Sequence, residues 1–538
     1  MSGELHRLSN GLTVAVDPMP GAESVAIGLY AQVGSRSEPE HLAGLAHLVE
    51  HMVFKGAGKR DTRALAEAIE DVGGAINAWT ARDQTVFYGR TLAKDAALLC
   101  EILTDLVREP HVSDDHLERE KDVILSELGE VTDSPDELVH EHLFEAAFES
   151  QALGRSILGR EETLRGATRD DCLNWIRGEL VPSRLILAAS GKVDPNEIMR
   201  CAERLLGDME DWPGVPIGRA EFTGGVRNDR REFEQAHWCL ALPGLAASDP
   251  RLPALSVFIQ AVGGGMSSRL FQELREERGL AYSVSAWQQA YADTGLVAMS
   301  CAADRTRAVE SMHLARSVFA QAIETLDEAE VQRARAQIEA GLLMSQETAQ
   351  GRADQMARSI EVFGRILDTG ELLEQYRAVD VTAARAAGAA TMVDGRAAIA
   401  SVGASSLWRR ERPHHDHRRA LGRLGPARLR QRPEARALWR RDRRPARAAG
   451  DVGAGARRLG SRRDLCSGIG RGGRRPLGPA PAGAQAVGVV ARRGALRRLA
   501  DAVSPPRLLP RHGAAMGLDA GALRGRRGAQ PVRLHRRR

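Results

Sequence analysis

The stretch HLAGLAHLVEHMVFKG, residues 41–56, decides how the rest of the chain is read. Its centre is His47-Leu48-Val49-Glu50-His51. Leu42, Leu45, Leu48, Val49 and Met52 recur at helical spacing, which predicts an amphipathic helix. On that helix His47 and His51 stand one turn apart with Glu50 three residues after the first, so two imidazoles and a carboxylate leave the same face.

Zinc chemistry asks for this arrangement. Zn2+ takes neutral imidazole nitrogens in a tetrahedral shell, and a catalytic site uses three protein ligands and leaves the fourth place to water. Two histidines one turn apart supply part of that shell, and a carboxylate beside them can take a proton from the bound water. The order His-x-x-Glu-His inverts the commoner zincin signature. Five residues fit an ordinary amphipathic helix with two histidines equally well, so the reading turns on a third ligand elsewhere.

Outward from the motif, residues 12–17 (LTVAVD) and 24–33 (SVAIGLYAQV) are rich in β-branched residues and separated by Pro18-Met19-Pro20-Gly21, a turn between strands. Helical spacing returns over 62–72 and 93–107, and between them 75–90 reads as two strands with a turn near Arg82-Asp83. After Pro110 comes DDHLEREKDVILSELGEV, residues 114–131, with Leu117, Val123, Ile124 and Leu128 near helical spacing. Glu120 and Glu127 are seven residues apart on it and so share a face after about two turns. Glu127 lies 76 residues beyond His51, a carboxylate from a separate helix. A solvated helix face accounts for either glutamate as well.

The phrases around these residues resemble the pitrilysin (insulinase) family of metallopeptidases, in the branch of mitochondrial processing peptidase and its bacterial relatives. GLAHLVEHMVFKG, NAWTARDQTVFY, the DSP of 133–135, EREKDVILSEL and LGRSILG of 153–159 stand in family order, and the resemblance covers about residues 5–403. It implies His47, His51 and Glu127 as zinc ligands, Glu50 as general base, and Glu120 as a carboxylate that orients a ligand. It also implies that Asn77-Ala78-Trp79 is a strand edge accepting substrate as an added β-strand, although Trp79 reads equally well as a packed core residue.

The chain then repeats itself. Residues 207–225 are rich in glycine and proline, and beyond them Glu277 to Tyr282 can be laid on Asp71 to Ile76 with a shift of 206. In this second copy the position of the motif helix reads LSVFIQAVGGGMSS, without His or Glu. Arg275, seven residues before Tyr282, resembles the family's Arg/Tyr pair that holds substrate and polarises the scissile carbonyl. From the residues alone the two are a surface charge and a half-buried strand residue. The expected architecture is α+β: a catalytic metallopeptidase domain over 1–205, a linker over 206–225, and a similar domain without a metal site over 226–403. Each is expected to be an antiparallel sheet packed with helices. By analogy with longer family members, two such domains have to pair as a homodimer, with Arg275 and Tyr282 serving the partner's zinc.

Composition sets the remainder apart. Residues 404–538 hold 35 arginines, no lysine and 8 acidic residues, a formal +27. Residues 1–403 hold 40 basic and 63 acidic residues, a formal −23. The net charge of +4 therefore averages two unlike segments and says nothing about partners. Phe, Tyr, Asn and Thr are absent from the tail, which is read as a disordered or frameshifted segment, with a basic nucleic-acid-binding arm as the rival. Its cluster His414-His415-Asp416-His417 is read as accidental.

Six scattered cysteines with no C-x-x-C pair fit a reducing compartment, and neither a leader pattern nor an apolar run of about 18 residues is seen. The expectation is a cytoplasmic zinc endopeptidase acting on peptides or unfolded polypeptides, with neither nucleic acid nor membrane as partner. A subunit active only beside a different partner, and a non-catalytic scaffold of the same fold, are the alternatives.

Overall fold

The computed structural model describes residues 3–214, 217–392 and 395–404. The first domain contributes strands β1 (Glu4–Arg7), β2 (Thr13–Pro18), β3 (Ser24–Ala31), the short pair β4 (Gly56–Ala57) and β5 (Arg60–Asp61), β6 (Ala75–Thr80), β7 (Thr85–Leu92) and β8 (Leu185–Gly191). Its helices are α1 (Leu45–Val53), α2 (Thr62–Glu70), α3 (Ala96–Arg108), α4 (Asp114–Asp133), α5 (Pro135–Ala147), α6 (Glu161–Gly166), α7 (Arg169–Glu179) and α8 (Pro195–Leu206). Six strands form one sheet in the order β1-β2-β8-β3-β7-β6.

Strands β3 and β8 are buried along nearly their whole length, because helices cover both faces of the sheet. That is why VAIGLYA reads as an apolar run without alternation. On one face Val14, Val16, Ile27, Leu29 and Phe87 pack with Leu48, Met52, Leu103 and Ile198 of the helices.

The second domain repeats the plan with β9 (Gly225–Asp229), β10 (Gln235–Pro243), α9 (Leu252–Gly263), β11 (Ala281–Ala290), β12 (Gly295–Asp304), α10 (Ala308–Thr325), α11 (Glu328–Ser345), α12 (Ala349–Phe363), α13 (Thr369–Arg377), α14 (Val381–Ala390) and β13 (Ala398–Val402). Its sheet order is β11-β12-β10-β13-β9. Pairing matches strand for strand: β6, β7, β3, β8 and β2 correspond to β11, β12, β10, β13 and β9, and only the last pair, β2 with β8 and β9 with β13, is parallel. Helix α9 occupies the place of α1 and is buried throughout Ala254–Gly263, a largely apolar stretch whose two polar residues, Ser256 and Gln260, are hydrogen-bonded to Leu252 O and Gln337. The expected pair of similar α+β domains is the fold observed, with two parallel pairings inside otherwise antiparallel sheets.

Each domain lends the other a helix. The outer face of the first sheet, with Ala15, Tyr30, Val86, Ile186 and Ala188, is covered by Ala353, Met356, Ala357 and Ile360 of α12. The outer face of the second, with Cys239, Ala241, Ala298 and Ala400, is covered by Leu138, Val139, Leu143 and Phe144 of α5. Arg36 locks the junction: its Nη1 donates to Asp83 Oδ1 at 3.0 Å, and its two terminal nitrogens donate to the carboxylate of Asp293 at 3.0 and 2.9 Å. Asp293 Oδ2 in turn accepts from the Ala220 amide at 2.7 Å.

Val123, counted on the apolar side of its helix, is 37 % exposed, because the buried stripe of α4 runs through Leu117, Glu120, Lys121 and Ile124. Among the described residues no helix is long and apolar enough to cross a membrane. The reading of the tail, with its His414–His417 cluster, falls on residues beyond 404 and lies outside the described residues.

Candidate metal centre

Helix α1 is fixed at its start. Gly44, its N-cap, has φ +97°, and a Cβ there would lie 2.8 Å from Leu158 O and 2.9 Å from Gly159 Cα. Glycine is therefore needed both for the left-handed turn and for the close approach of the 153–159 segment. The carboxylate of Glu38 accepts hydrogen bonds from the amides of Gly44 at 2.8 Å and Ala46 at 2.7 Å, the partners that free amides at a helix start need. Burial pushes the Glu38 carboxyl up to about 8 in spite of those bonds.

The helix packs its apolar side into the first core and carries His47, Glu50 and His51 towards α4. There Glu127 Oε2 lies 3.1 Å from His47 Nε2, and Glu127 Oε1 lies 3.8 Å from His51 Nε2. The two imidazole rings meet edge on, with centroids 4.6 Å apart. One ligand atom from each of His47, His51 and Glu127 falls within 4.8 Å of the others.

Behind His51, Glu120 Oε2 lies 3.0 Å from Nδ1, and Lys55 Nζ holds the other oxygen at 2.7 Å. A carboxylate on Nδ1 keeps the proton there and leaves the Nε2 lone pair facing Glu127. Three lone-pair carriers then point at one place, and such a set repels itself unless a cation or a proton sits among them. The residues therefore fit a divalent ion with imidazole and carboxylate ligands. In the metal-free protein a proton does this work. Burial disfavours the charged ring of His47, but the carboxylates of Glu127 and Glu50 outweigh it and hold its pKa at about 10.

Glu50 stands beside the cluster, its Oε2 3.4 Å from His47 Nδ1. Burial opposes its ionisation, yet hydrogen bonding and charge from His47 prevail and its pKa lies below the ordinary carboxylate value. Glu120 is likewise held low against its burial, by His51 and Lys55. The arrangement can hold a divalent cation with an ionised carboxylate next to it.

Asn77 and Ala78 lie on β6, the edge strand of the first sheet, where Asn77 Oδ1 accepts from the Ala78 amide at 2.9 Å. Ala78 is buried in the core beneath, whereas Trp79 is half-buried on the opposite face near α12. Arg275 and Tyr282 belong to the second domain and meet each other. The guanidinium carbon of Arg275 sits 5.9 Å from the Tyr282 ring centroid and 4.8 Å from that of Phe271, and Tyr282 is 73 % exposed on the edge strand β11. Two residues that serve the site escaped the sequence reading. Lys55 is four residues after His51, a spacing that could have drawn attention to it; Glu38 lies before the helix in a segment with no pattern.

The chain is similar to known proteins along most of its described length. Residues 13–161 match the model of the insulinase peptidase family M16, and residues 166–338 match that of the peptidase M16 inactive domain. The chain is 31 % identical over 371 residues to an uncharacterized zinc protease of Rickettsia felis, covering 69 % of this chain and 90 % of that one. It is 33 % identical over 382 residues to an uncharacterized zinc protease of Streptomyces coelicolor, covering 69 % and 83 %. It is also 32 % identical over 411 residues to a probable mitochondrial-processing peptidase subunit beta of Arabidopsis thaliana, covering 74 % and 77 %. Among solved structures, a peptidase M16 inactive domain from Pseudomonas fluorescens superposes with a TM-score of 0.70 at 18 % identity, covering 75 % of this chain and 98 % of that one. A protease from Helicobacter pylori gives 0.69 at 17 %, covering 74 % and 99 %. Two consecutive family matches and relatives that share a third of their residues over most of their length place the chain in the insulinase family of peptidases, M16.

Proposed function

We propose that the chain is a zinc-dependent endopeptidase that hydrolyses peptide bonds in peptides or unfolded polypeptides. The observation that carries this reading is the meeting of His47, His51 and Glu127 with Glu50 alongside. Zinc held by these three ligands would lower the pKa of a bound water from 15.7 to about 7 and polarise the scissile carbonyl. Glu50, ionised in its buried place, accepts the proton released as water attacks and returns it to the leaving amine. Glu120 and Lys55 keep the His51 ring turned towards Glu127.

The exposed edge of β6 at Asn77 and Ala78 offers main-chain groups to an extended substrate, a mode that asks little of substrate sequence. Arg275 and Tyr282 face solvent on the second domain and hold substrate at the zinc of a partner copy in a homodimer. On this reading residues 1–205 form the catalytic domain, 206–225 the linker and 226–403 the homologous domain without metal. Among the described residues five cysteines are buried and free, which supports a cytoplasmic location.

The test is zinc content of the purified chain together with cleavage of a mixed peptide library, with and without chelator, beside the Glu50→Gln variant. The variant is expected to keep its zinc and lose activity by a factor of about 10² to 10⁴. A wild-type chain that binds no zinc, or a Glu50→Gln chain as active as wild type, ends the proposal.

A further inference from the structure

Buried thiols that take no part in the candidate metal centre occur in both domains, and one pair differs from the rest. Cys100 on α3 and Cys201 on α8 belong to the same core cluster, where the two helices pack against each other. Their thiols are in hydrogen-bonding contact. Cys100 is 4 % exposed and Cys201 7 %. Beside them stands Arg204, three residues after Cys201 and exposed on α8, with its Nη2 3.8 Å from the Cys201 Sγ.

A thiol is oxidised as its thiolate, and a hydrogen-bond donor or a cation next to the sulfur favours that form. Cys201 has both. The Cys100 thiol and, after it, the Arg204 guanidinium hold Cys201 below the ordinary thiol range in spite of its burial. Cys100 is driven the other way by its partner and by burial, and keeps its proton. One sulfur is thus prepared to be oxidised and the other waits beside it.

The other described cysteines lack this arrangement. Burial pushes the thiols of Cys172 and Cys301 up to about 12. Cys239 and Cys301 lie one register step apart on the neighbouring strands β10 and β12. They are nevertheless on opposite faces of the sheet, Cys239 packed with α5 and Cys301 with α10, so no bond can join them.

We propose that Cys100 and Cys201 close to a reversible disulfide when the protein meets hydrogen peroxide, a staple between α3 and α8. The Cys201 thiolate attacks one peroxide oxygen; an S–O bond forms, the O–O bond breaks, and the departing hydroxide takes up the proton that Cys201 released. The Cys100 sulfur then attacks the sulfenic sulfur. The S–S bond forms, the S–O bond breaks, and hydroxide leaves with the Cys100 proton as a second water. Two thiols and one peroxide become one disulfide and two waters. With Cys100 in contact, the sulfenic acid is captured before more peroxide carries it to the irreversible sulfinic acid. The closed loop runs from residue 100 to residue 201 and contains α4 with Glu120 and Glu127. A cross-link across so long a loop restricts the unfolded chain, so oxidation steadies the first domain. The inference depends neither on zinc nor on peptidase activity.

The test treats the full chain with hydrogen peroxide, alkylates the remaining thiols and maps tryptic peptides by mass spectrometry. The Cys100 and Cys201 peptides are expected joined, short of two hydrogens and parted again by dithiothreitol, while Cys172, Cys239 and Cys301 stay thiols. The oxidised chain should unfold at a higher denaturant concentration than the reduced one, a gain that dithiothreitol abolishes. Arg204→Gln, at an exposed position, should slow the cross-linking by roughly threefold or more. The proposal is overturned if both thiols survive doses that oxidise the other cysteines, or if Cys201 pairs elsewhere or passes unpaired to the sulfinic acid. A link that forms only in urea, in the unfolded chain, overturns it as well.

Discussion

His51 shows how much of the centre is read from residue spacing and how much is not. The i, i+4 relation of His47 and His51, with Glu50 on the same face, follows from helix geometry alone and was legible in the motif. Which of Glu120 and Glu127 would approach the rings was not legible in their seven-residue spacing, because it depends on how α4 crosses α1. The crossing brings Glu127 to both Nε2 atoms and Glu120 to the far side of His51. Glu120→Gln should therefore leave the ligands in place and lower zinc affinity by about 10- to 100-fold, measured by competition with a chelating dye. The His47 proton makes a second prediction. Its pKa rises from about 6.5 to about 10 in the metal-free fold, so this proton favours the folded state fully below pH 6.5 and less as the pH climbs through 10. If zinc binds as proposed it displaces this proton, so about one proton should leave per ion bound at pH 8, and affinity should rise with pH. Calorimetry in two buffers of different ionisation heat reads the proton directly; equal heats would contradict the assignment.

At the scale of elements, the turn at Pro18–Gly21, the hairpin of β6 and β7 and the helical runs were all visible, because each has a local cause in turn chemistry or apolar period. The roles of α5 and α12 were not. Ala353, Met356, Ala357 and Ile360 do form an apolar stripe, but a stripe does not say which sheet it will cover, and it covers the other domain's. Met356 is fully buried there, 0 % exposed, so Met356→Ala should cost about 2–5 kcal/mol of stability in denaturant titration. The loss should speed hydrogen exchange most in the first domain's β3 and β8, the strands α12 covers. Unchanged stability would mean that α12 is not seated on that sheet.

For the whole molecule, the duplication announced by the shifted repeat is realised as two sheets of matching order, each covered on one face by a helix from the other half of the chain. Exchange joined with the Arg36–Asp83–Asp293 cluster makes the halves hard to part. Proteolysis in the segment 207–214, where Trp212 is 66 % exposed, should leave both fragments travelling together in gel filtration and separable only by denaturant. Fragments that elute apart would contradict the interlocked arrangement.

The same exchange bears on how the chain comes off the ribosome. Tyr30, Val86 and Ile186 are in place once β8 has been synthesised, yet the helix that shields them ends at Phe363, 172 residues later. At ordinary rates of translation that is on the order of 10 to 30 s during which an oily sheet face is bare. A nascent polypeptide of this design needs a chaperone to shelter it through that interval, and any transcript truncated before codon 349 yields a product that is sticky by construction.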